Sequence, residues 1–171
     1  MIYHALGIPV YFFAMTTIHE SSHALGGKIA GLEITSFKPY PHFENFGGSR
    51  YFVFGSVNYA NATNGWQHVA LYAAPLAADM TLFAGSDLLL SHIDADSKVA
   101  PFIFVAGLVS TTVDWLVNIN GVSEANDTNH LVQVTGVPKW VFMLGGDALG
   151  VLAVWRIVHH GHRIFYTSNP P

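Results

Sequence analysis

Apolar residues along this chain gather into four long stretches, residues 8–30, 69–90, 99–119 and 140–158, with shorter polar segments between them. Each approaches the ~20 residues that an α-helix needs to cross the hydrocarbon layer of a bilayer. Acids interrupt all four: Glu20 in the first, Asp79 and Asp87 in the second, Asp114 in the third and Asp147 in the fourth. A carboxyl is costly in lipid, so within a spanning helix it faces the bundle interior and is a functional suspect by default. The pattern predicts an all-α membrane protein of about four transmembrane helices; the competing reading is a soluble bundle of buried helices.

Glycines 26, 27 and 31 predict the close of the first helix, and residues 32–60 then read as loop and strand. Phe46-Gly47-Gly48-Ser49 is a turn signal, and the runs Tyr51-Phe52-Val53-Phe54 and Ser56-Val57-Asn58-Tyr59 are rich in β-formers. A small β-hairpin between the first and second spans follows. It is either a surface loop folded onto the bundle or a strand edge that holds an extended peptide by backbone pairing. Residues 61–64 form a turn and 91–97 a polar connection. Within 118–135, Ser123 or Asn126 caps a short helix that stops at Gly136, just before Pro138.

Composition strengthens the membrane reading. Charged residues are 11% of the chain, against ~25% in ordinary soluble domains, and mean hydropathy is +0.36. Trp66, Tyr72, Trp115, Trp140 and Trp155 fall mostly near span ends, as in an interfacial aromatic belt. With no linker or repeat, the 171 residues read as a single membrane-embedded domain, 1–171. No basic residue precedes the first span, which speaks against a cleavable signal peptide. Four crossings would divide Lys28, Lys38, Arg50 and Lys139 from Lys98, Arg156 and Arg163, too even a split to orient the protein. The absence of cysteine excludes thiolate ligands, and a net charge of -4 offers no basic surface for nucleic acid.

The most specific chemistry lies at His19-Glu20-Ser21-Ser22-His23, an HExxH sequence. Residues four apart share a helix face, so both imidazoles can reach one Zn²⁺ while Glu20 serves as general base toward a zinc-activated water. The bland alternative is a helix face with two histidines and a solvated glutamate. A third ligand is needed, and Asp127, Asp114, Asp147 and His130 compete for it. Two chain reversals return residues 118–135 to the side where the first span ends, which favours Asp127; its alternative role is an acid at a helix N-terminus. Asp114 and Asp147 read equally as carboxyls hydrogen-bonded inside the bundle. Asn126 and His130 suit the outer shell that orients zinc ligands. His159-His160-Gly161-His162 reads as a solvated tail beside Arg156 and Arg163, and His4, His42, His68 and His92 receive no role.

The run Thr17-Ile18-His19-Glu20-Ser21-Ser22-His23-Ala24-Leu25-Gly26-Gly27-Lys28 resembles the site-2 protease family of intramembrane zinc metalloproteases, in particular its short, bacterial-type branch. Ala73-Ala74-Pro75-Leu76-Ala77-Ala78 is similar to the small-residue and proline motif of that family's next core helix, with Asp79 an unusual companion. Asn126-Asp127, with Leu131, Thr135-Gly136-Val137-Pro138 and Trp140, resembles the branch's acid-bearing segment, while the Leu-Asp-Gly form of larger members is absent. The resemblance implies a zinc metalloendopeptidase of the bacterial cell membrane that cuts membrane-associated polypeptides. It also implies that zinc is held by His19, His23 and Asp127, with Glu20 catalytic. The alternative from another class is a membrane metal-binding or transport protein that needs the ligands but no base at Glu20.

Overall fold

The computed structural model describes residues 2–46, 48–121 and 126–166, the side chains of 2–12 and of Phe46 excepted. The chain is mostly helical and divides into two compact units, residues 1–78 and 79–171, with the boundary inside one continuous helix.

The first unit holds helix α1 (Ile2–Ile29), strands β1 (Glu33–Lys38), β2 (His42–Phe46), β3 (Ser49–Val53) and β4 (Ser56–Ala60), and the first half of helix α2 (Gly65–His92). Helix α1 runs through Gly26 and Gly27 rather than ending there. It stops at Gly31, whose φ of +83° only glycine adopts cheaply. The Leu32 N–H reaches back to Gly27 O at 2.8 Å and the Gly31 N–H to Lys28 O at 3.0 Å, a Schellman ending. Gly26 matters for packing instead. A Cβ there would collide with Ala70 O and with Ala74 Cβ, so its bareness lets α1 and α2 touch backbone to backbone. A reciprocal capping box starts α2. Asn64 Oδ1 accepts from Gln67 N (3.1 Å), Gln67 Oε1 accepts from Asn64 N (3.2 Å), and Gln67 Nε2 also donates to Ala30 O (3.1 Å), tying the start of α2 to the end of α1.

The expected hairpin is present, with different pairing. The runs 51–54 and 56–59 do not pair with each other; β2 pairs antiparallel with β3, and β1 with β4 outside them, as two nested two-stranded ladders. Phe54-Gly55 is long enough for a hairpin turn, but it passes the chain from the inner ladder, where β3 is paired with β2, to the outer one, where β4 is paired with β1.

The second unit holds the rest of α2, helix α3 (Ala100–Asn120), helix α4 (Asp127–Thr135) and helix α5 (Lys139–Phe165). Its core joins Leu90, Ala100, Phe104, Leu108 and Ile164. Residues Phe104–Val109 form a π-helical segment inside α3. Gly146 and Gly150, four apart on α5, present a bare strip onto which Ile119 and Leu116 of α3 close, the small-residue packing used where no water drives association. Helix α4 matches its sequence signals: Asn126 Oδ1 caps Thr128 N at 2.9 Å, and Gly136 closes it at φ +70°. Ser123, the other expected cap, lies outside the described residues.

Among the described residues, three helices are long and apolar enough to cross a membrane: Gly65–His92, Ala100–Asn120 and Lys139–Phe165. The aromatic belt divides. Trp66, Trp140 and Trp155 are exposed, whereas Trp115 is turned into the bundle and donates to Gly146 O at 3.0 Å.

Candidate metal centre

His19, Glu20 and His23 lie in the C-terminal half of α1, and helical spacing gathers them on one side. The Nε2 atoms of the two histidines stand 3.2 Å apart. With Zn–N bonds of 2.0–2.1 Å, the edge of a coordination tetrahedron is about 3.3–3.4 Å, so the two nitrogens already hold a spacing that fits one zinc ion. The His23 tautomer fits as well. Its Nδ1 lies 2.9 Å from Leu71 O, so a neutral ring carries its proton there and turns the Nε2 lone pair toward His19.

That carbonyl is available for a reason written in the sequence. In a regular helix Leu71 O would accept from the N–H four residues on, but residue 75 is proline and has none. Pro75, itself fully buried, thus releases a carbonyl at the depth where the Gly26 contact brings α1 close. Tyr72 meets the His23 ring edge to face at 6.1 Å. Its hydroxyl lies 3.3 Å from that of Tyr59 on β4, which lies 3.1 Å from His68 Nδ1, so one short network braces the ring. Glu20 is buried. Gly55 passes so close that a Cβ there would lie 2.7 Å from Glu20 Oε1, and the β3 to β4 passage closes over the carboxyl.

The remaining site residues belong to the second unit. Asp127 opens α4 and is buried, with Asn126 capping the helix in front of it and His130 half-buried one turn on. Asn126 Nδ2 also donates to Asn118 Oδ1 (3.1 Å) and Val117 O (3.3 Å), fixing the start of α4 on the end of α3. Asp114 accepts from Asn118 Nδ2 at 3.4 Å, and Asp147 accepts from Asn120 Nδ2 of the neighbouring helix at 3.1 Å. Both are therefore engaged as structural carboxyls of the bundle.

Three histidines depart from expectation. His160 is 1% exposed, its Nε2 2.8 Å from Asp87 Oδ1, and Arg156 Nε donates to the same oxygen at 2.7 Å. The histidine run is therefore the last turns of α5, one member of which is buried, rather than a solvated tail. His68 joins the Tyr59 and Tyr72 network. His42 Nδ1 lies 2.7 Å from Tyr40 O and its Nε2 2.9 Å from Glu44 Oε1. Glu44 also accepts from Ser56 Oγ (2.7 Å) and Lys38 Nζ (3.3 Å), joining the inner ladder to the outer. Burial pushes the Glu44 carboxyl up, but the His42, Ser56 and Lys38 hydrogen bonds and the Lys38 charge outweigh it and hold the carboxyl down to about 2.

Comparison with protein-family models, with curated proteins and with solved structures found no match.

Proposed function

We propose that this protein is a membrane-embedded zinc metallopeptidase that cuts membrane-associated polypeptides in the manner of the site-2 proteases its motifs resemble. The observation that carries the reading is the imidazole pair: two Nε2 atoms at 3.2 Å, one ring fixed in the ligating tautomer by a backbone carbonyl. Asp127 is the proposed third ligand, since it is a buried acid at a capped helix start while Asp114 and Asp147 are taken up by Asn118 and Asn120. Helix α1 joins the three long apolar helices as a fourth crossing.

Bound zinc would lower the pKa of a water ligand to about 7 and polarise the scissile carbonyl. Glu20 takes the proton from the attacking water and passes it to the leaving amine, and its burial beneath Gly55 keeps the carboxyl aimed. The ladders are each two strands wide among the described residues, and an open edge suits an extended substrate held by main-chain pairing. The test is one experiment with two readouts, zinc content and cleavage of a membrane-anchored polypeptide in detergent. Glu20→Gln keeps stoichiometric zinc and loses cleavage by at least about 10²-fold, whereas His19→Ala with His23→Ala loses both. Unchanged turnover in Glu20→Gln removes the mechanism and leaves a metal-binding or transport protein; unchanged zinc in the double variant removes the site.

A further inference from the structure

His42 is held much as His23 is, in a different part of the first unit. Its Nδ1 lies 2.7 Å from Tyr40 O, a carbonyl that can only accept, so a neutral ring keeps its proton there and offers the lone pair of Nε2. That lone pair meets two oxygens. Nε2 stands 2.9 Å from Glu44 Oε1 and 3.2 Å from Ser56 Oγ, and the two oxygens are 2.7 Å apart. His42 and Glu44, two apart on β2, share a face of that strand, and Ser56 opens β4. One nitrogen and two oxygens from three residues thus make a closed triangle. Its sides bracket the ~2.8–3.1 Å between neighbouring ligands of a six-coordinate divalent ion, bound at ~2.0–2.2 Å.

The His42 and Glu44 side chains are only 12% and 8% exposed. In so sheltered a place a carboxylate and an imidazole lone pair do not face each other without a cation between them. Lys38 supplies positive charge to one of the two: Nζ donates to Glu44 Oε1 at 3.3 Å and makes no hydrogen bond to Nε2 or to Ser56 Oγ. Its side chain is 38% exposed and free to move aside. Every hydrogen bond to the Glu44 carboxylate falls on Oε1, which leaves Oε2 to receive Lys38 when it does.

We propose that His42 Nε2, Glu44 Oε1 and Ser56 Oγ form a metal site separate from HExxH, for a six-coordinate divalent transition ion such as Mn²⁺, with water at the remaining positions. An imidazole ligand argues against Ca²⁺ and Mg²⁺, which take oxygens, and the narrow triangle argues against tetrahedral zinc, whose ligands stand wider apart. Tyr40 O supplies the outer contact that fixes a ligating histidine. The ion ties the inner ladder to Ser56, the neighbour of Gly55, and so to the passage that closes over Glu20. None of the three ligands belongs to HExxH, so the site stands independently of the peptidase reading. With two strong ligands and a hydroxyl it holds its ion loosely, and zinc content after desalting still reports HExxH.

The probe is Mn²⁺, titrated into the full chain in detergent and followed by electron paramagnetic resonance, with His19→Ala and His23→Ala in place so that HExxH supplies no ligand. One saturable equivalent is expected, its spin-echo modulation showing one directly bound imidazole nitrogen. His42→Ala and Glu44→Gln weaken it at least about tenfold and Ser56→Ala severalfold. Lys38→Ala, which removes the competing cation, tightens it severalfold. Absence of saturable binding up to about 1 mM Mn²⁺ overturns the proposal and leaves a proton on Nε2 as the link between His42 and Glu44. Undiminished affinity in His42→Ala overturns it too, as does weaker binding in Lys38→Ala, which decides where Glu44→Gln does not fold. Should the histidine background itself not fold, the same series in the parent with zinc at HExxH is read by the same outcomes.

Discussion

Two polar clusters in this molecule are built from overlapping residue types and have opposite character. Around Asp87 in the second unit, an acid, a guanidinium and an imidazole satisfy one another, with Asp87 Oδ1 taking both Arg156 Nε and His160 Nε2. Around His23 in the first, the protein aims like at like: two imidazole Nε2 atoms face each other at 3.2 Å, and the proton that could decide their pairing is drawn to the far side of His23 by Leu71 O. The first arrangement is closed and holds helices together. On the proposed reading, the second is completed by a cation. Buried polar groups alone do not distinguish a site from a strut; the direction of their lone pairs does.

The sharpest way to break this contrast is to exchange the roles of the acids. Asp127→Ala should weaken zinc binding by more than about 100-fold, while Asp114→Ala and Asp147→Ala stay within about threefold of the parent, since ligand loss exceeds the loss of outer-shell contacts. Zinc competition titrations in one detergent check this, and a reversed order transfers the ligand role to the acid that fails.

The next effect tests the carbonyl. Pro75→Ala gives residue 75 an N–H, returns Leu71 O to the α2 ladder and leaves His23 Nδ1 competing for it. Zinc affinity should fall by about 10–100-fold, with no loss of thermal stability because alanine suits a helix interior better than proline. Parent-like affinity would show that the carbonyl does not set the tautomer.

On the closed side the expectation inverts. Asp87→Asn removes the charge shared by Arg156 and His160 and should lower stability by about 1–3 kcal/mol, while zinc content and cleavage per folded molecule are unchanged. Loss of zinc in this variant would contradict the division between strut and site.

The smallest effect concerns acid. The Glu44 carboxyl is held down to about 2 in the folded ladders, against ~4.3 for a free glutamate. Its stabilising contribution is complete above the unfolded value and is lost as pH falls from about 4.3 toward 2. A ¹³C titration of the Glu44 carboxyl checks the midpoint. Glu44→Gln should flatten the acid-side loss of β2 to β3 ordering, and an ordinary midpoint near 4 would show the cluster to be loose.

What was legible in the sequence follows a common rule. HExxH was readable because helical spacing alone puts His19 and His23 on one face, and α4 was readable because Asn126 and Gly136 act on their own neighbours. The partners of His23 were not, because Leu71 acts through its carbonyl, which carries no side-chain signature; the proline four residues on was the available signal. The nested ladders were missed because β-propensity names strands without naming their partners. His160 was misread because its partner, Asp87, lies 73 positions away in the chain. Charge beside a helix end gives no sign of such a partner.

The π-helical segment at Phe104–Val109 has a consequence for how α3 keeps rotational phase. Such a segment accommodates one residue more than an α-helix of the same path, and one residue is about 100° of turn. Residues Ser110–Asn120 are therefore rotated, as a block, relative to where an unbroken helix from Ala100 would aim them. That offset points Trp115 at Gly146 O and Asn118 at Asn126. Removing Ala106 would let the segment close into an ordinary α-helix of the same path and keep both groups on their partners, whereas removing a residue between Ser110 and Val113 would swing both off. A substitution scan along α3 should accordingly read as two periodic patterns out of step by one residue, with the break between 104 and 109.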